Sequence, residues 1–437
     1  MEEQRKKVLG SVEIPEAISK DLKKTLNVPD FGKKIKEYSS HNTTDLLDAV
    51  LFGSINLSAS DIHIEPEENQ TILRIRIDGI LQDVIFFEKE IYHNLLSRIK
   101  LLSKIKLNIT DSPQDGRFTI LEEDLLIEIR TSTLPAEYGE SIVMRILNPK
   151  NLLNLENLGL RKDLYEIFNA QIQKPNGMII VTGPTGAGKT TTLYAFLMKA
   201  KNRGIEIITI EDPIEYHIEG ILQTQVAPEK GYTFSEGLRS IVRQDPDLIL
   251  VGEVRDAETA KIALQSSLTG HLVFSTLHTN DAAGTIPRLI DLGASASSVA
   301  PALKMVVAQR LVREVCKECS ELKNPTNNEL KEIKEGLENV KIAELPKDFN
   351  KIKITKANEK GCKHCNFTGY KGRKGLFEVF LLDAEIEKLI LKNPAVSEIK
   401  ELLAKRGMVT MYQSGLIEVV LGETTLEEMK KVVESDE

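Results

Sequence analysis

A glycine-rich loop between an apolar strand and a helix constrains this chain more than any other feature. Residues 178–200 read MIIVTGPTGAGKTTTLYAFLMKA, and the loop matches the pattern G-x-x-x-x-G-K-[ST] from Gly183 to Thr190. Its glycines let backbone N–H groups wrap a phosphate, and the helix that follows presents the positive end of its dipole. A chance glycine turn would lack the flanking strand and helix. The pattern therefore predicts a P-loop that binds the phosphates of a nucleotide.

Each residue type in this loop has an expected role. We expect the Lys189 ammonium to reach the β- and γ-phosphates and the Thr190 hydroxyl to bind Mg²⁺. ATP and Mg²⁺ are therefore the expected ligands. The predicted nucleotide-binding residues are Gly183, Pro184, Thr185, Gly186, Ala187, Gly188, Lys189, Thr190 and Thr191.

Two acidic segments follow the P-loop, and each closes an apolar strand. The first, IEIITIEDPIEY, is stopped by a proline, and the second, DLILVGEVRD, ends in Glu253. The acids at the end of the first are Glu211, Asp212 and Glu215. Open α/β sheets place their ligand sites at the carboxyl ends of strands, and ATP hydrolysis needs a bound metal and an oriented water. Together with the P-loop, the two segments predict a hydrolytic site.

Two histidines flank a third apolar strand in GHLVFSTLH, residues 270–278. His278 follows the carboxyl end of this strand, so we expect it on the phosphate side of the sheet, beside Glu253 or the γ-phosphate, where it would sense the state of the nucleotide. His271 precedes the strand, and we expect it to be structural or to lie at a domain contact.

The pattern of apolar residues changes along the chain. Residues 1–40 are charged, with one helix-like apolar series and a polar end that is typical of a linker leading into a helix cap. Residues 41–147 contain short alternating strands around one helix, which predicts a small α+β domain. Residues 148–176 read as a connector, and in 177–437 apolar strands alternate with amphipathic helices, which predicts an α/β domain with a mostly parallel sheet covered on both faces. The tail from about 375 to 437 reads as helical.

The cysteines form two pairs with the same spacing, CKEC and CKHC. In a reducing compartment this spacing favours zinc over a disulfide, and buried apolar cysteines would have no reason to pair in this way. The predicted zinc ligands are Cys316, Cys319, Cys362 and Cys365. We expect a closed structural site within a zinc subdomain at about 310–370, with the lysine- and glutamate-rich loop between the pairs projecting from it.

Taken together, these motifs resemble those of a known family, the motor ATPases of type II secretion and type IV pilus assembly. The resemblance covers roughly residues 45–437 and is carried by SASDIHIEP, RIRIDGIL, SPQDGRF, GPTGAGKTTTLY, TIEDPIEY, ILVGEVRD, TGHLVFSTLHTNDA, QRLVR and the two cysteine pairs. It implies a hexameric ring in which each subunit joins a small domain to a RecA-like ATPase domain. Opening and closing around ATP would drive pilin-like subunits out of the inner membrane.

The resemblance also implies roles for individual residues. Glu215 in EDPIE matches the catalytic glutamate, and Glu253 matches the Walker B acid, which with Thr190 would hold Mg²⁺. Arg130 and Arg145 match small-domain arginines that reach the γ-phosphate. The two histidines, His271 and His278, match the family's histidine box, and the four cysteines match its zinc-binding subdomain. Without the resemblance, all of the small-domain arginines, including Arg74, Arg76 and Arg117, would read as solvated strand residues.

The implied partners are further copies of the chain in a homo-hexamer, an inner-membrane platform protein and the cytoplasmic domain of a membrane-anchored secretion component. The N-terminus has no apolar core typical of a signal peptide, and no run approaches the roughly 18 apolar residues of a membrane span. We therefore expect a cytoplasmic protein that reaches the inner membrane through its partners.

Two other classes of protein share some of these features. A RecA-like nucleic-acid translocase or helicase also carries a P-loop, but a net charge of −8 and the absence of tryptophan disfavour it. A scaffold that only binds ATP is disfavoured because it would not need the two acidic segments, which predict hydrolysis. Retraction motors of the family lack the cysteine subdomain, which favours assembly or secretion. Type II secretion, pilus assembly and a DNA-uptake pseudopilus are all compatible with the sequence.

Overall fold

A computed structural model describes residues 11–122, 125–201 and 204–433. The chain divides into two compact units. The first unit contains Met1–Asn151, Cys316–Cys319 and Asn358–Lys371, and the second contains Leu152–Val315, Ser320–Ala357 and Gly372–Glu437. In the described ranges, no helix is both long enough and apolar enough to cross a membrane.

A seven-stranded sheet with helices forms the first unit. Its elements are β1 (Ser11–Glu13), α1 (Glu16–Leu22), α2 (Val28–Tyr38), α3 (Thr43–Asn56), β2 (Asp61–Pro66), β3 (Thr71–Ile77), β4 (Ile80–Phe87), α4 (Lys89–Leu102), β5 (Gln114–Glu122), β6 (Leu125–Ala136) and β7 (Gly139–Leu147). The strand order is β1-β5-β6-β7-β2-β3-β4, and the pairs are antiparallel except for β1 with β5. Alternating apolar residues of the strands face the helices and form one core with them.

The first 40 residues differ from the expected separate segment and linker. Helix α2 buries Phe31 and Ile35 completely in the same core as α3 and the sheet. The backbone of Gly53 on α3 lies so close to the Phe31 ring that a Cβ there would fall 2.0 Å from it. Asn42 caps α3 by accepting a hydrogen bond from the Asp45 N–H at 2.9 Å. The described part of this region is therefore integral to the small α+β domain.

The second unit is a doubly wound sheet. Its elements are α5 (Lys162–Ile172), β8 (Gly177–Thr182), α6 (Lys189–Ala200), β9 (Ile207–Glu211), β10 (Leu222–Gln225), α7 (Phe234–Val242), β11 (Leu248–Val251), α8 (Ala257–Leu268), β12 (Leu272–Leu277), α9 (Thr285–Asp291), α10 (Ala296–Ala302), β13 (Leu303–Val315), β14 (Glu321–Lys323), α11 (Asn327–Leu337), β15 (Ile354–Lys356), β16 (Tyr370–Leu381), α12 (Ala384–Ile390), α13 (Val396–Lys405), α14 (Met411–Val420) and α15 (Leu426–Lys430). The main sheet has the order β10-β9-β11-β12-β8-β13-β16.

The central strands of this sheet are parallel and buried throughout, which accounts for their continuous apolar runs. Two apolar cores lie on its two faces. Since parallel strands place their carboxyl ends at one edge, the segments after β8, β9, β11 and β12 emerge together there.

The C-terminal half matches one expectation and contradicts another. The tail is helical as expected, through α12 to α15, but the helices begin only after β16, which continues as an edge strand of the main sheet to Leu381. The segment between the cysteine pairs does not project as a whole, because α11 buries Ile333 and Leu337 in the core of the second unit. Its Glu332 accepts a hydrogen bond from the Tyr412 hydroxyl of α14 at 2.8 Å. The amphipathic spacing of Ile333 and Leu337 explains this packing.

The segment around the cysteines is shorter than the expected zinc subdomain at about 310–370, because most of that range belongs to the second unit. Residues up to Val315 belong to β13 of the main sheet, and 320–357 belong to the second unit. Only Cys316–Cys319 and Asn358–Lys371 surround the cysteines, and they belong to the first unit. Within that unit the Val28 N–H donates to Asn366 Oδ1 at 2.9 Å, so the cysteine-rich segment is fixed to the start of α2.

Candidate nucleotide site and cysteine cluster

The P-loop connects β8 to α6 through backbone conformations that glycine adopts readily. Gly183 has φ +147°, and a Cβ at this position would lie 2.5 Å from the Gln309 carbonyl oxygen of β13. Gly188 has φ +87° and precedes the first turn of α6. The loop therefore runs close against β13 and reaches α6 with the N–H groups of the first helical turn lacking intrahelical partners.

Lys189 folds back over this loop. Its Nζ donates to the carbonyl oxygens of Gly183 at 2.8 Å and Pro184 at 3.0 Å. Burial lowers the pKa of Lys189, the Glu253 carboxylate opposes that shift, and the Arg310 guanidinium adds to it. The ammonium is thus held at the loop, within electrostatic range of Glu253.

The remaining loop residues divide into exposed and buried groups. The exposed ones are Pro184, Thr185, Gly186 and Thr190, Ala187 is buried, and Thr191 is half-buried. Thr192 is completely buried, and its hydroxyl donates to Gln309 Oε1 at 2.8 Å. Gln309 therefore supports α6 from β13. The motif QRLVR contains Gln309, but its sequence gives no signal of this supporting role.

Glu253 and His278 follow the adjacent strands β11 and β12. The strand ends are joined by hydrogen bonds from the Ser275 hydroxyl to Val251 O at 2.8 Å and from the Thr276 hydroxyl to Gly252 O at 2.7 Å. This brings His278 Nε2 to 3.7 Å from Glu253 Oε2. Burial, followed by Lys189, lowers the pKa of His278, with Glu253 opposing the shift.

Arg255 also reaches this acidic edge. Its guanidinium pairs with Glu253, and Nη1 lies 3.9 Å from Asp212 Oδ2. Asp212 follows β9, so Arg255 connects the two acidic segments that the sequence singles out. No local sequence pattern predicts this role for Arg255.

The segment carrying Glu215 is organised around the buried carboxylate of Glu211. This carboxylate accepts hydrogen bonds from Thr209 at 2.6 Å, from Gln223 at 3.1 Å and from the Tyr194 hydroxyl. Burial raises the pKa of Glu211, and its three donors oppose the shift. The Glu215 N–H in turn donates to the Tyr194 hydroxyl at 3.3 Å. Glu211 is therefore a supporting residue, and the half-buried Glu215 belongs to the more accessible part of the segment.

His271 lies at the opposite end of β12. Its Nδ1 is 2.9 Å from the carbonyl oxygen of Ser266, near the carboxyl end of α8. The six residues of β12 separate it from His278 by about 20 Å. This contact gives His271 a local structural role.

The small-domain arginines form a row across the sheet of the first unit. Arg117, Arg130 and Arg145 are in register on β5, β6 and β7. Arg130 Nε lies 2.9 Å from Glu128 Oε1, and Arg145 Nε lies 3.2 Å from Asp61 Oδ1. The row continues to β3, where Arg76 Nε is 3.6 Å from the same aspartate. Arg74, on the other hand, pairs with Glu65 and Asp83.

The four cysteines converge, with their sulfur atoms all within 4.8 Å of one another. The Cys316–Cys362 and Cys319–Cys365 Sγ distances are 3.8 and 3.9 Å. Tetrahedral zinc with Zn–S bonds of about 2.3 Å requires sulfur separations of about 3.8 Å. Although burial works in the opposite direction, N–H groups of Cys362 and Gly369 lower the pKa of Cys365 to about 7. The donor set fits one tetrahedral metal ion with no open position.

Comparison with known proteins identifies the family. The model of a family described as type II/IV secretion system protein matches residues 36–431. The chain belongs to this family. Membership confirms the predicted resemblance and, with it, an ATPase that works as a secretion or pilus assembly motor.

Similar proteins occur both in type II secretion systems and in type IV pilus assembly. The type II secretion system protein E of Pectobacterium carotovorum subsp. carotovorum is 41% identical over 394 residues, which cover 90% of this chain and 76% of the relative. The type IV pilus assembly ATPase PilB of Thermus thermophilus is 41% identical over 372 residues, which cover 85% of this chain and 41% of the relative.

Solved structures share the fold. The ATPase DotB of Legionella pneumophila aligns with a TM-score of 0.63 at 20% identity, covering 90% of this chain and 96% of that chain. The pilus retraction motor PilT with bound ADP aligns with a TM-score of 0.59 at 24% identity, covering 89% of this chain and 96% of that chain. The predicted fold class, with a small α+β domain followed by a P-loop ATPase domain, is confirmed.

Proposed function

We propose that this chain hydrolyses ATP at the carboxyl edge of its main sheet to drive pilin-like subunits out of the inner membrane. The observation that supports this most directly is the convergence of three groups at that edge. Lys189 lies over the P-loop, Glu253 is within its electrostatic range, and His278 is 3.7 Å from Glu253. An ATP-hydrolysing site needs such a combination of phosphate cradle, metal-binding acid and neighbouring polar group.

The phosphates would be held by the loop from Gly183 to Thr191, with Lys189 turning from the loop's own carbonyl oxygens toward them. Thr190, exposed at the start of α6, and Glu253 are the residues that would hold Mg²⁺. That ion, when bound, neutralises negative charge on the phosphates. His278 would report the state of the γ-phosphate to Glu253.

Glu215 is proposed as the catalytic glutamate that orients the attacking water. It lies in a segment anchored by Glu211, which is buried and already accepts from three hydrogen-bond donors and is therefore less suited to contact substrate. An ionised carboxylate in this position can accept a proton from a water that is held in place.

The cysteine cluster would hold one structural zinc ion, since its four sulfur donors leave no position for a substrate. We further propose a homo-hexameric ring that works with an inner-membrane platform protein and the cytoplasmic domain of a membrane-anchored secretion component, located in the cytoplasm at the inner membrane. The family to which the chain belongs supports this arrangement.

Turnover and nucleotide binding test the site when they are measured separately. We expect Lys189→Ala to lose both binding and turnover, and Glu215→Gln to lose turnover while it still binds ATP. Glu219→Gln is a matched control, because Glu219 is exposed and lies four residues after Glu215 in the same non-helical segment. Full turnover in Glu215→Gln would remove this residue from the mechanism.

Arg130 and Arg145 are proposed to contact the transferring phosphate when the small domain closes on the nucleotide. An arginine in this role contributes about 10³- to 10⁵-fold in rate. Each alanine variant should therefore bind ATP and lose most turnover. Arg74→Ala is the control, because it lies on the same sheet outside the row. Normal turnover in both variants would leave the two residues as ordinary strand arginines.

Mixed rings of Arg130→Ala chains and Lys189→Ala chains test whether the arginine serves its own chain, as we propose. If it does, every site in the mixed ring lacks an essential group and activity stays absent. Recovered turnover in rings shown to contain both chains would place the arginine at a neighbour's site instead.

A further inference from the structure

The hydroxyl of Tyr194 connects the P-loop helix to the segment that carries Glu215. Tyr194 is on α6, one turn after the phosphate-binding residues, and its side chain is 1% exposed. The hydroxyl donates to Glu211 at the end of β9. It also accepts from the Glu215 N–H at 3.3 Å and from the Tyr216 N–H. One oxygen atom therefore contacts both ends of the acidic segment.

The surrounding contacts leave this connection little freedom. Glu211 is held on its other oxygen by Thr209 and Gln223, and Gln223 also donates to the Tyr216 carbonyl oxygen at 3.0 Å. The Tyr194 and Tyr216 rings pack edge to face, with centroids 6.1 Å apart. A displacement of α6 would thus be transmitted to the backbone of residues 211–216.

The chemistry of the phenol suits this role. Burial, followed by the Glu211 carboxylate, raises the pKa of Tyr194 above its ordinary value. The hydroxyl keeps its proton at neutral pH, so it donates to the carboxylate and leaves its lone pairs for the two N–H groups. Phenylalanine would fill the same space without these three contacts.

We infer that Tyr194 is a positioning residue that sets the location of Glu215 relative to the P-loop helix through its contacts with Glu211 and the Glu215 backbone. The inference rests on the proposed role of Glu215. It goes beyond that role because it assigns the coupling between nucleotide-binding and water-orienting elements to one hydroxyl group.

Tyr194→Phe tests the inference by removing one oxygen atom. A misplacement of about 1 Å in a catalytic group can reduce turnover about 100-fold. We therefore expect kcat to fall about 10- to 100-fold. The KM for ATP and the Kd for a fluorescent ADP analogue should change by less than about threefold, because the phosphate-binding residues keep their contacts.

The matched control is Tyr165→Phe. The Tyr165 hydroxyl also donates to a glutamate, Glu156, at 3.1 Å, and it accepts from Lys199 on the same helix α6. Tyr165 itself is on α5, and its contact with Lys199 lies near the end of α6, far from the P-loop. The kcat of Tyr165→Phe should therefore remain within about twofold of the parent value. A general loosening of α6 would instead lower turnover in both variants.

The effect should also depend on Glu215. In the Glu215→Gln background, Tyr194→Phe should lower the residual turnover by less than about threefold, because the group that it positions is already absent. An undiminished kcat in Tyr194→Phe, combined with an inactive Glu215→Gln, would overturn this inference and leave the proposed function intact. Full activity of Glu215→Gln would overturn both.

Parallel losses of affinity and stability with an unchanged kcat would also overturn the inference, since they would indicate packing alone. If Tyr194→Phe fails to fold, Glu211→Gln provides the same test from the other side. Because Thr209 and Gln223 both donate to one oxygen of Glu211, the glutamine carbonyl would face them and its NH2 group would face Tyr194. The hydroxyl would then have to accept rather than donate, and the NH2 group would compete with the Glu215 N–H. Parent-like kcat in Glu211→Gln would then refute the proposed coupling.

Discussion

Two glycines of the P-loop provide a test of the loop geometry, because both have a positive φ and their surroundings differ. Gly183 has φ +147°, and Gly186 has φ +81°. A Cβ at position 183 would lie 2.5 Å from the Gln309 carbonyl oxygen, whereas a Cβ at position 186 would meet nothing within 4 Å. Gln309 is part of β13, so its carbonyl cannot retreat without moving the sheet.

The expected magnitudes follow from these contacts. Placing alanine in a left-handed conformation costs about 1–2 kcal/mol, which is the full effect expected for Gly186→Ala in the nucleotide-free protein. Gly183→Ala adds an overpacking cost of about 1–3 kcal/mol against an immobile backbone atom. For a domain of this size, each kcal/mol lowers the unfolding temperature by about 2–4 °C.

Differential scanning calorimetry without nucleotide separates the two variants. We expect the transition of the ATPase unit to fall further in Gly183→Ala than in Gly186→Ala by at least about 2–4 °C. Nucleotide is omitted because a methyl group at position 186 could also meet a bound phosphate. Equal shifts, or a larger shift for Gly186→Ala, would refute the account of how the loop packs on β13.

Three further outcomes are expected. Cys362→Ser should lose bound zinc, measured by mass spectrometry against the parent protein. It should also destabilise the cysteine segment while nucleotide binding persists, because a structural site contributes on the order of 10 kcal/mol to folding. Equal metal content in the two proteins would contradict this. Glu378→Gln should lower the unfolding free energy by about 1–3 kcal/mol, because the Ala282 and Met411 N–H groups donate to different oxygens of the buried carboxylate and glutamine keeps only one of these oxygens. Unchanged stability would contradict it. Burial and the P-loop lysine lower the pKa of His278, so its NMR titration midpoint should lie below the ordinary 6.5. Because the unfolded chain then binds the proton more readily, the folded chain should lose stability as the pH falls from 6.5 through this lower midpoint. A midpoint at or above 6.5 would contradict this.

The parts of the site that the sequence predicted are those in which local rules determine position. A left-handed backbone between strand and helix requires glycine, so the P-loop is recognisable from letters alone. Residues that follow parallel strands emerge at one edge, so Glu253 and His278 could be expected together, and their side chains lie 3.7 Å apart. Both statements depend on a few neighbouring residues and on no distant contact.

The expectations that failed involve helices whose partners are distant in sequence. Residues 320–361 are rich in lysine and glutamate, which suggested a solvated projection. However, Ile333 and Leu337 lie on one face of α11, and that face packs on helices formed by residues after 411. Similarly, the charged start of the chain contains Phe31 and Ile35, which complete the core of the small domain. Overall polarity describes the outer face of such helices, whereas the spacing of a few apolar residues determines where they pack.

The supporting residues of the site were missed for a related reason. Glu211, Gln309 and Tyr194 are buried polar side chains whose partners come from other strands and helices, so no local pattern gives them a role. A usable signal nevertheless exists in the strands. Strand β9 is buried at every position and yet ends in Glu211. A carboxylate that closes a fully buried parallel strand must find several hydrogen-bond donors there, because leaving it unpaired would cost several kcal/mol. Such a residue at the ligand-binding edge of a sheet therefore indicates a polar network behind the site, and here that network leads through Tyr194 to Glu215, the proposed catalytic glutamate.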